Sequence, residues 1–170
     1  MSQGNKTLIP QYAWVILAVV YLATVSGTIM LNKISPVMPV LMDVFQVDLT
    51  QAGLLVAVFG LTSLLLALPA GMLVQKLGVK ITGVIAVGFI IIGAALGAIS
   101  ASFGLLIASR VLEGIGAALV SILAPSAIAT WFPPEKSGMP MGIWATSTPV
   151  GGLIAMTVAP LLEPHIGWNG

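Results

Sequence analysis

The stretch "ITGVIAVGFIIIGAALGAI", residues 81 to 99, decides the fold class. It carries no charge, its one side-chain hydroxyl is Thr82, and as a helix it would reach about 28 Å, close to the hydrocarbon thickness of a bilayer. A barrel strand would alternate apolar and polar residues, whereas this run is apolar on every side. In lipid only helices and closed barrels satisfy every backbone polar group, so the run reads as a transmembrane helix. The rest of the chain agrees: 58% of the 170 residues are hydrophobic and 6% charged, against about 25% charged in soluble domains. With a mean hydropathy of +1.12, the fold class is an all-α polytopic transmembrane helix bundle.

Breaks placed at polar, Pro and Gly clusters predict five spans, at about 12–41, 51–74, 81–100, 104–130 and 139–162. Residues 1–11 form a polar lead, and 163–170 an outer loop. The breaks are short, as between antiparallel helices packed side by side. The oily run after the lead is too long for a signal-peptide core, and no small-residue cleavage site interrupts it, so the first span is expected to remain uncleaved. Lys6, Lys76, Lys80 and Lys136 all fall on one side of this topology, while Asp43, Asp48 and Glu163 fall on the other. Positive charge accumulates in cytoplasmic loops, so the expected orientation has a cytoplasmic N-terminus in a cell (inner) membrane. Trp14 and Trp131 would then share one interface, as aromatic belts do.

Several chemistries have no residues to support them. The chain has no Cys, which closes disulfide and thiolate-metal options, and its net charge of +1 with no basic block gives nucleic acid no footing. No carboxylate or His cluster suggests a metal site, no Gly-rich phosphate loop follows a strand, and His165 reads as an ordinary loop residue. No cofactor and no enzymatic activity are expected. Gly93 and Gly97, and the run Gly114, Gly116, Ala117 and Ala118, are expected to let helices approach closely, because lipid offers no hydrophobic drive for association. Pro149 is expected to kink the fifth span.

The informative residues are the ionisable ones inside the spans. A charge at mid-membrane costs on the order of 3 kcal/mol, so something must offset Lys33, Arg110 and Glu113. Arg110 and Glu113 stand three apart on one helix and can pair, either as a self-contained couple near the outer boundary or as a gate facing a watery cavity. Counting about 20 residues from Ala13 puts Lys33 at the surface, where it would snorkel. The apolar continuation "ISPVMPVLMDVF" instead places it inside a long, tilted helix, and the inner placement is favoured. Tyr21, Thr24, Thr28 and Asn32 recur three or four residues apart, a polar stripe expected to face protein or water. A cavity shared by Lys33 and Arg110 would keep a positive potential after Glu113 is subtracted, and would welcome an anion.

"GMLVQKLGVK", Gly71 to Lys80, resembles the loop between the second and third helices of the major facilitator superfamily. Gly71, Leu73, Lys76, Gly78 and Lys80 match its Gly-x-Leu-x-Asp-Arg-x-Gly-basic-basic pattern, with Val79 in place of one basic residue and Gln75 in place of Asp. "RVLEGIGAA", Arg110 to Ala118, is similar to the family's fourth-helix motif. "PVMPVLMDVFQVDLTQAGLLVAVFGL" resembles the passage from the first helix into the second, and "WFPPEKSGMPMG" the loop into the fifth, with Met139 and Pro140 where Arg and Ala are common. "STPVGG" matches the Gly-Pro motif of the antiporter branch only loosely.

The resemblance covers essentially the whole chain. It implies a transporter of twelve helices in two six-helix halves, of which this chain supplies the first five, working by alternating access. Its partners would be a small-molecule solute, a coupling ion such as the proton, the lipid bilayer and the remainder of the transporter. Tyr21, Thr28, Asn32, Lys33 and Arg110 are the candidate solute-binding residues for a small anionic solute. Arg110 and Glu113, with Gly71, Gln75, Lys76, Gly78 and Lys80, are the candidate coupling and gating residues. In the family the loop's charges pair with neighbouring helix ends and latch one conformation. Gln75 lacks the usual charge, which predicts a weaker latch. Two other readings stay open: a proton-coupled exporter of amphipathic compounds with Glu113 carrying the proton, and a membrane fragment or interaction protein that does not transport.

Overall fold

The computed structural model describes residues 10–167, and Lys6 lies outside them. Among the described residues there is no strand. The elements are α1 (Gln11–Asn32), α2 (Ile34–Phe45), α3 (Leu49–Ala98), α4 (Phe103–Trp131), a 3-10 turn (Pro134–Lys136), α5 (Gly138–Ala145) and α6 (Ser147–Ile166).

Local chemistry sets several of these limits. Gln46 closes α2 in the left-handed conformation, at φ 52°. Asp48 then opens α3 with a reciprocal cap: its carboxylate accepts from Gln51 N at 2.7 Å, and the Gln51 side chain accepts from Asp48 N at 3.1 Å. The Ser102 hydroxyl caps α4 at Leu105 N. Two further breaks share one cause. Lys33 lies three residues before Pro36, and Thr146 three before Pro149; each proline withholds the N–H that would bond the carbonyl four residues back. The kink expected at Pro149 is therefore expressed at Thr146, between α5 and α6.

Three boundaries differ from the sequence reading. The first span continues past residue 41 to Phe45, as a run of 35 residues interrupted only at Lys33. The segment expected as a loop, 75–80, is helical apart from Gly78, whose φ of 78° and ψ of 167° break α3 into arms 49–77 and 79–98. Glycine alone takes that φ without strain, so one residue makes the reversal. The last helix runs through 163–166, so Glu163 and His165 are helical rather than part of an outer loop.

That α3 folds back is visible in its packing. A Cβ built on Gly93 would lie 2.9 Å from Glu113 N, and one on Gly114 would lie 2.9 Å from Phe59 O. Phe59 and Gly93 would stand about 51 Å apart on a straight helix, yet both meet α4 at neighbouring residues. Gly116 is as tight, with Ala86 O 2.7 Å from its would-be Cβ. Small residues thus allow the backbone approach that holds the two arms of α3 on α4. On its other side α4 meets α1, and α1 meets α6.

Three apolar clusters mark the height of each element. At one end Ala13, Leu17, Ala127, Ile128 and Phe132 pack together with Val74 and Val79 from the bend of α3. Tyr12 stacks edge-on against Trp131 at 5.3 Å and Trp14 against Phe132 at 5.4 Å at that same end. Lys76, Lys80 and Lys136 therefore flank one end of the bundle. At the opposite end Ile34, Leu41, Leu55 and Leu106 pack with Phe45 and Phe103, beside Asp43 and Asp48. Ala86, Ile90, Leu119 and Val120 fill the middle. The hydroxyl of Thr82, one turn beyond the bend of α3, is buried with no partner among the described residues. The carbonyl it would use, four residues back, belongs to Gly78, and the non-helical dihedrals of Gly78 turn that group out of line.

Candidate functional site: an ion triad and two cavities beside the first helix

Arg110 stands seven residues into α4, about 10 Å from its start, and Glu113 follows one turn later. The two form an ion pair, with Glu113 fully buried and Arg110 1% exposed. They are not a self-contained couple. Lys33 donates to the second carboxylate oxygen of Glu113 at 3.0 Å, and Arg110 Nη1 donates to the carbonyl of Met30 at 2.8 Å. Both links run from α4 to the end of α1, where the break at Lys33 occurs. Lys33 sits 12 residues before the end of α2, about 18 Å by helical rise. One anion between two cations leaves the triad with a net charge of one positive unit, and Lys33, 29% exposed, is its accessible member.

A cavity of about 490 Å³ opens beside the triad. Lys33 and Arg110 reach its wall, Glu163 lies farther along it, and the rest is mainly aliphatic, with Ile29, Ala94, Leu106 and Val158 among its residues. A second cavity of about 240 Å³ lies on the other face of α1, lined by Thr24, Thr28, Phe59, Ser63, Ser121 and Thr148 with small residues between them.

The structure divides the candidate solute-binding residues between these places. Lys33 and Arg110 border the larger cavity and Thr28 the smaller one. Asn32 donates to Thr28 O at 2.9 Å, a bond within its own helix. Tyr21 pairs with Thr146 at 3.2 Å; Thr146 already donates to Ile143 O, so the tyrosine is the donor. Trp144, which the sequence reading passed over, donates to Thr24 Oγ1 at 2.9 Å and ties α5 to the polar stripe. Of the gating candidates outside the triad, Gly78 makes the bend and Gly71 has open space where a Cβ would be. Gln75, Lys76 and Lys80 are exposed and make no hydrogen bond or ion pair among the described residues. The Lys33 link to Glu113, across 80 residues of sequence, had no local signal beyond the cost of burying either charge alone.

Comparison with known proteins places this architecture. Residues 14–170 match the sequence profile of the Major Facilitator Superfamily. The hexuronate transporter of Bacillus subtilis is 24% identical over 151 residues, 88% of this chain and 35% of that protein. The tetracenomycin C resistance and export protein of Streptomyces glaucescens is 33% identical over 101 residues, 59% of this chain and 19% of that protein. Among solved structures, a bacterial homologue of the human lysosomal transporter Spinster, inward-facing and unoccupied, superposes with a TM-score of 0.81 at 26% identity. That match covers 90% of this chain and 32% of the other. The chain thus spans about a third or less of the length of these relatives. From the helical fold, the closely packed glycines and the match over nearly its whole length, the chain belongs to the Major Facilitator Superfamily of membrane transporters.

Proposed function

We propose that residues 1–170 form the N-terminal portion of a secondary transporter that moves a small anionic solute across the cell membrane by alternating access, with the N-terminus cytoplasmic. One observation carries the choice of an anion: Lys33 reaches the wall of a 490 Å³ cavity while its counter-charge, Glu113, is buried behind it. The positive side of the triad therefore faces the space a solute would enter. The hexuronate transporter, a relative matching 88% of this chain, is named for an organic anion and supports the same reading. The lysines gathered at the Trp131 end, opposite Asp43 and Asp48, support the cytoplasmic N-terminus.

Lys33→Ala in the full-length protein, reconstituted and screened against a panel of small organic and inorganic anions, is expected to abolish saturable uptake while leaving membrane insertion intact. Unchanged uptake would remove Lys33 from the site. A proton-coupled exporter is the second reading, favoured by the full burial of the Glu113 carboxyl, which the two neighbouring cations oppose, and by the likeness to an export protein. In that case Glu113→Gln would abolish proton-driven export but leave downhill exchange.

A further inference from the structure

Each arm of α3 carries an exposed apolar stripe that ends on a lysine at the bend. On the first arm Leu68, 84% exposed, and Met72 are followed four residues later by Lys76. On the second, Lys80 is followed by Val84, 69% exposed, and then by Val87 and Ile91. At about 100° per residue each set falls on one face of its helix. Ala86 and Gly93, which meet α4 at Gly116 and Glu113, lie across the second arm from Lys80, so its stripe looks away from the helix packing.

The bend stands at the height of the aromatic rings. Val74 and Val79 pack in the same cluster as Phe132, against which Trp14 stacks. Aromatic belts mark the headgroup level of a bilayer, so Lys76 and Lys80 stand where lipid phosphates lie and the stripes where acyl chains lie. Neither lysine has a counter-charge among the described residues. They flank Gly78 two residues away on either side, Gln75 beside them is neutral, and Glu135, the carboxylate at this end, pairs with neither. Two exposed cations, each heading an apolar stripe, match a molecule with an anionic head and hydrocarbon tails. We infer that the bend of α3 is a docking site for an anionic glycerophospholipid, its phosphate held between Lys76 and Lys80 and an acyl chain lying along Val84, Val87 and Ile91. This site is separate from the solute assignment at Lys33, which adjoins the apolar cluster at the opposite end of the bundle.

Residues 1–170 contain no Cys, so a single reporter can be placed beside the site. Val84→Cys in the full-length protein, with any cysteines beyond residue 170 removed, is labelled with bimane and reconstituted in phosphatidylcholine vesicles. A small fraction of the lipid carries a nitroxide high on the acyl chain, either as phosphatidylglycerol or as phosphatidylcholine, and quenching reports which lipid stands at the site. Each lysine near an anionic headgroup strengthens association about fivefold, so phosphatidylglycerol should be favoured about 25-fold. Lys76→Gln or Lys80→Gln should each lower that preference about fivefold, and the double variant should remove it while leaving quenching by phosphatidylcholine unchanged. A reporter at Ile99→Cys, 72% exposed and just past the far end of the same arm, should show no preference. Equal quenching by the two lipids at position 84 overturns the inference, as does a preference that survives the double variant or is matched at position 99. Loss of the preference on adding soluble glycerol 3-phosphate would assign the lysines to a free phosphate and overturn the lipid. Absence of quenching by either lipid at position 84 would mean that protein covers this face, and would overturn it as well.

Discussion

Replacing Glu113 by Gln should destabilise this bundle more than removing either cation, because among the described residues it is the counter-charge that pairs with both. The Lys33 to Glu113 contact of 3.0 Å corresponds to about 5 kcal/mol of attraction at an effective dielectric of about 20. Lys33 is 29% exposed and can turn toward water, so Lys33→Met should cost only about 1 to 2 kcal/mol. Glu113→Gln strands Arg110, which is 1% exposed, and a buried charge without its partner typically costs about 3 to 5 kcal/mol. The double variant leaves one stranded cation instead of two, so its cost should fall short of the sum by about 1 to 2 kcal/mol. Equilibrium unfolding of the full-length protein in mixed detergent micelles, followed by tryptophan fluorescence, measures all of these. A Glu113→Gln loss no larger than that of Lys33→Met, or strict additivity in the double variant, would refute the picture of one anion serving two cations.

Two other substitutions test the packing. Gly116→Ala drives a methyl to within 2.7 Å of Ala86 O and 3.0 Å of Ile90 N, backbone atoms that yield only if α3 and α4 separate. A loss of about 1 to 3 kcal/mol is expected in the same unfolding assay, against no loss for Gly88→Ala, where the space is open. Thr82→Val removes a buried hydroxyl with no partner and nearly preserves shape, so it should raise stability by about 1 kcal/mol. A lowered midpoint would mean that the hydroxyl is satisfied.

Part of the resemblance to the superfamily, and the close packing expected at the glycines, rested on backbone needs that sequence states openly. Gly78 is where the chain must turn with positive φ, and Gly93, Gly114 and Gly116 are where helices touch. Both follow from the absence of a Cβ, a property of the residue itself. The helical continuity through Gln75 and Lys76 was not legible, because polar residues at a helix end look the same as a loop when only composition is read.

What the sequence by itself determined is the solvent and the class. A chain with 6% charge and long apolar runs must satisfy its backbone within helices, whatever their arrangement. It also marked Lys33, Arg110 and Glu113 as costly, since the expense of a charge in lipid depends on the residue and its depth. Which charge meets which was decided only by the tertiary structure. Lys33 and Glu113 are 80 residues apart, and their contact depends on how α1 crosses α4. The polar stripe of α1 shows the same limit. Periodicity put Thr24 and Thr28 on one face, but only packing showed that Lys33 points to the other cavity and that the hydroxyl protons are already spent on carbonyls.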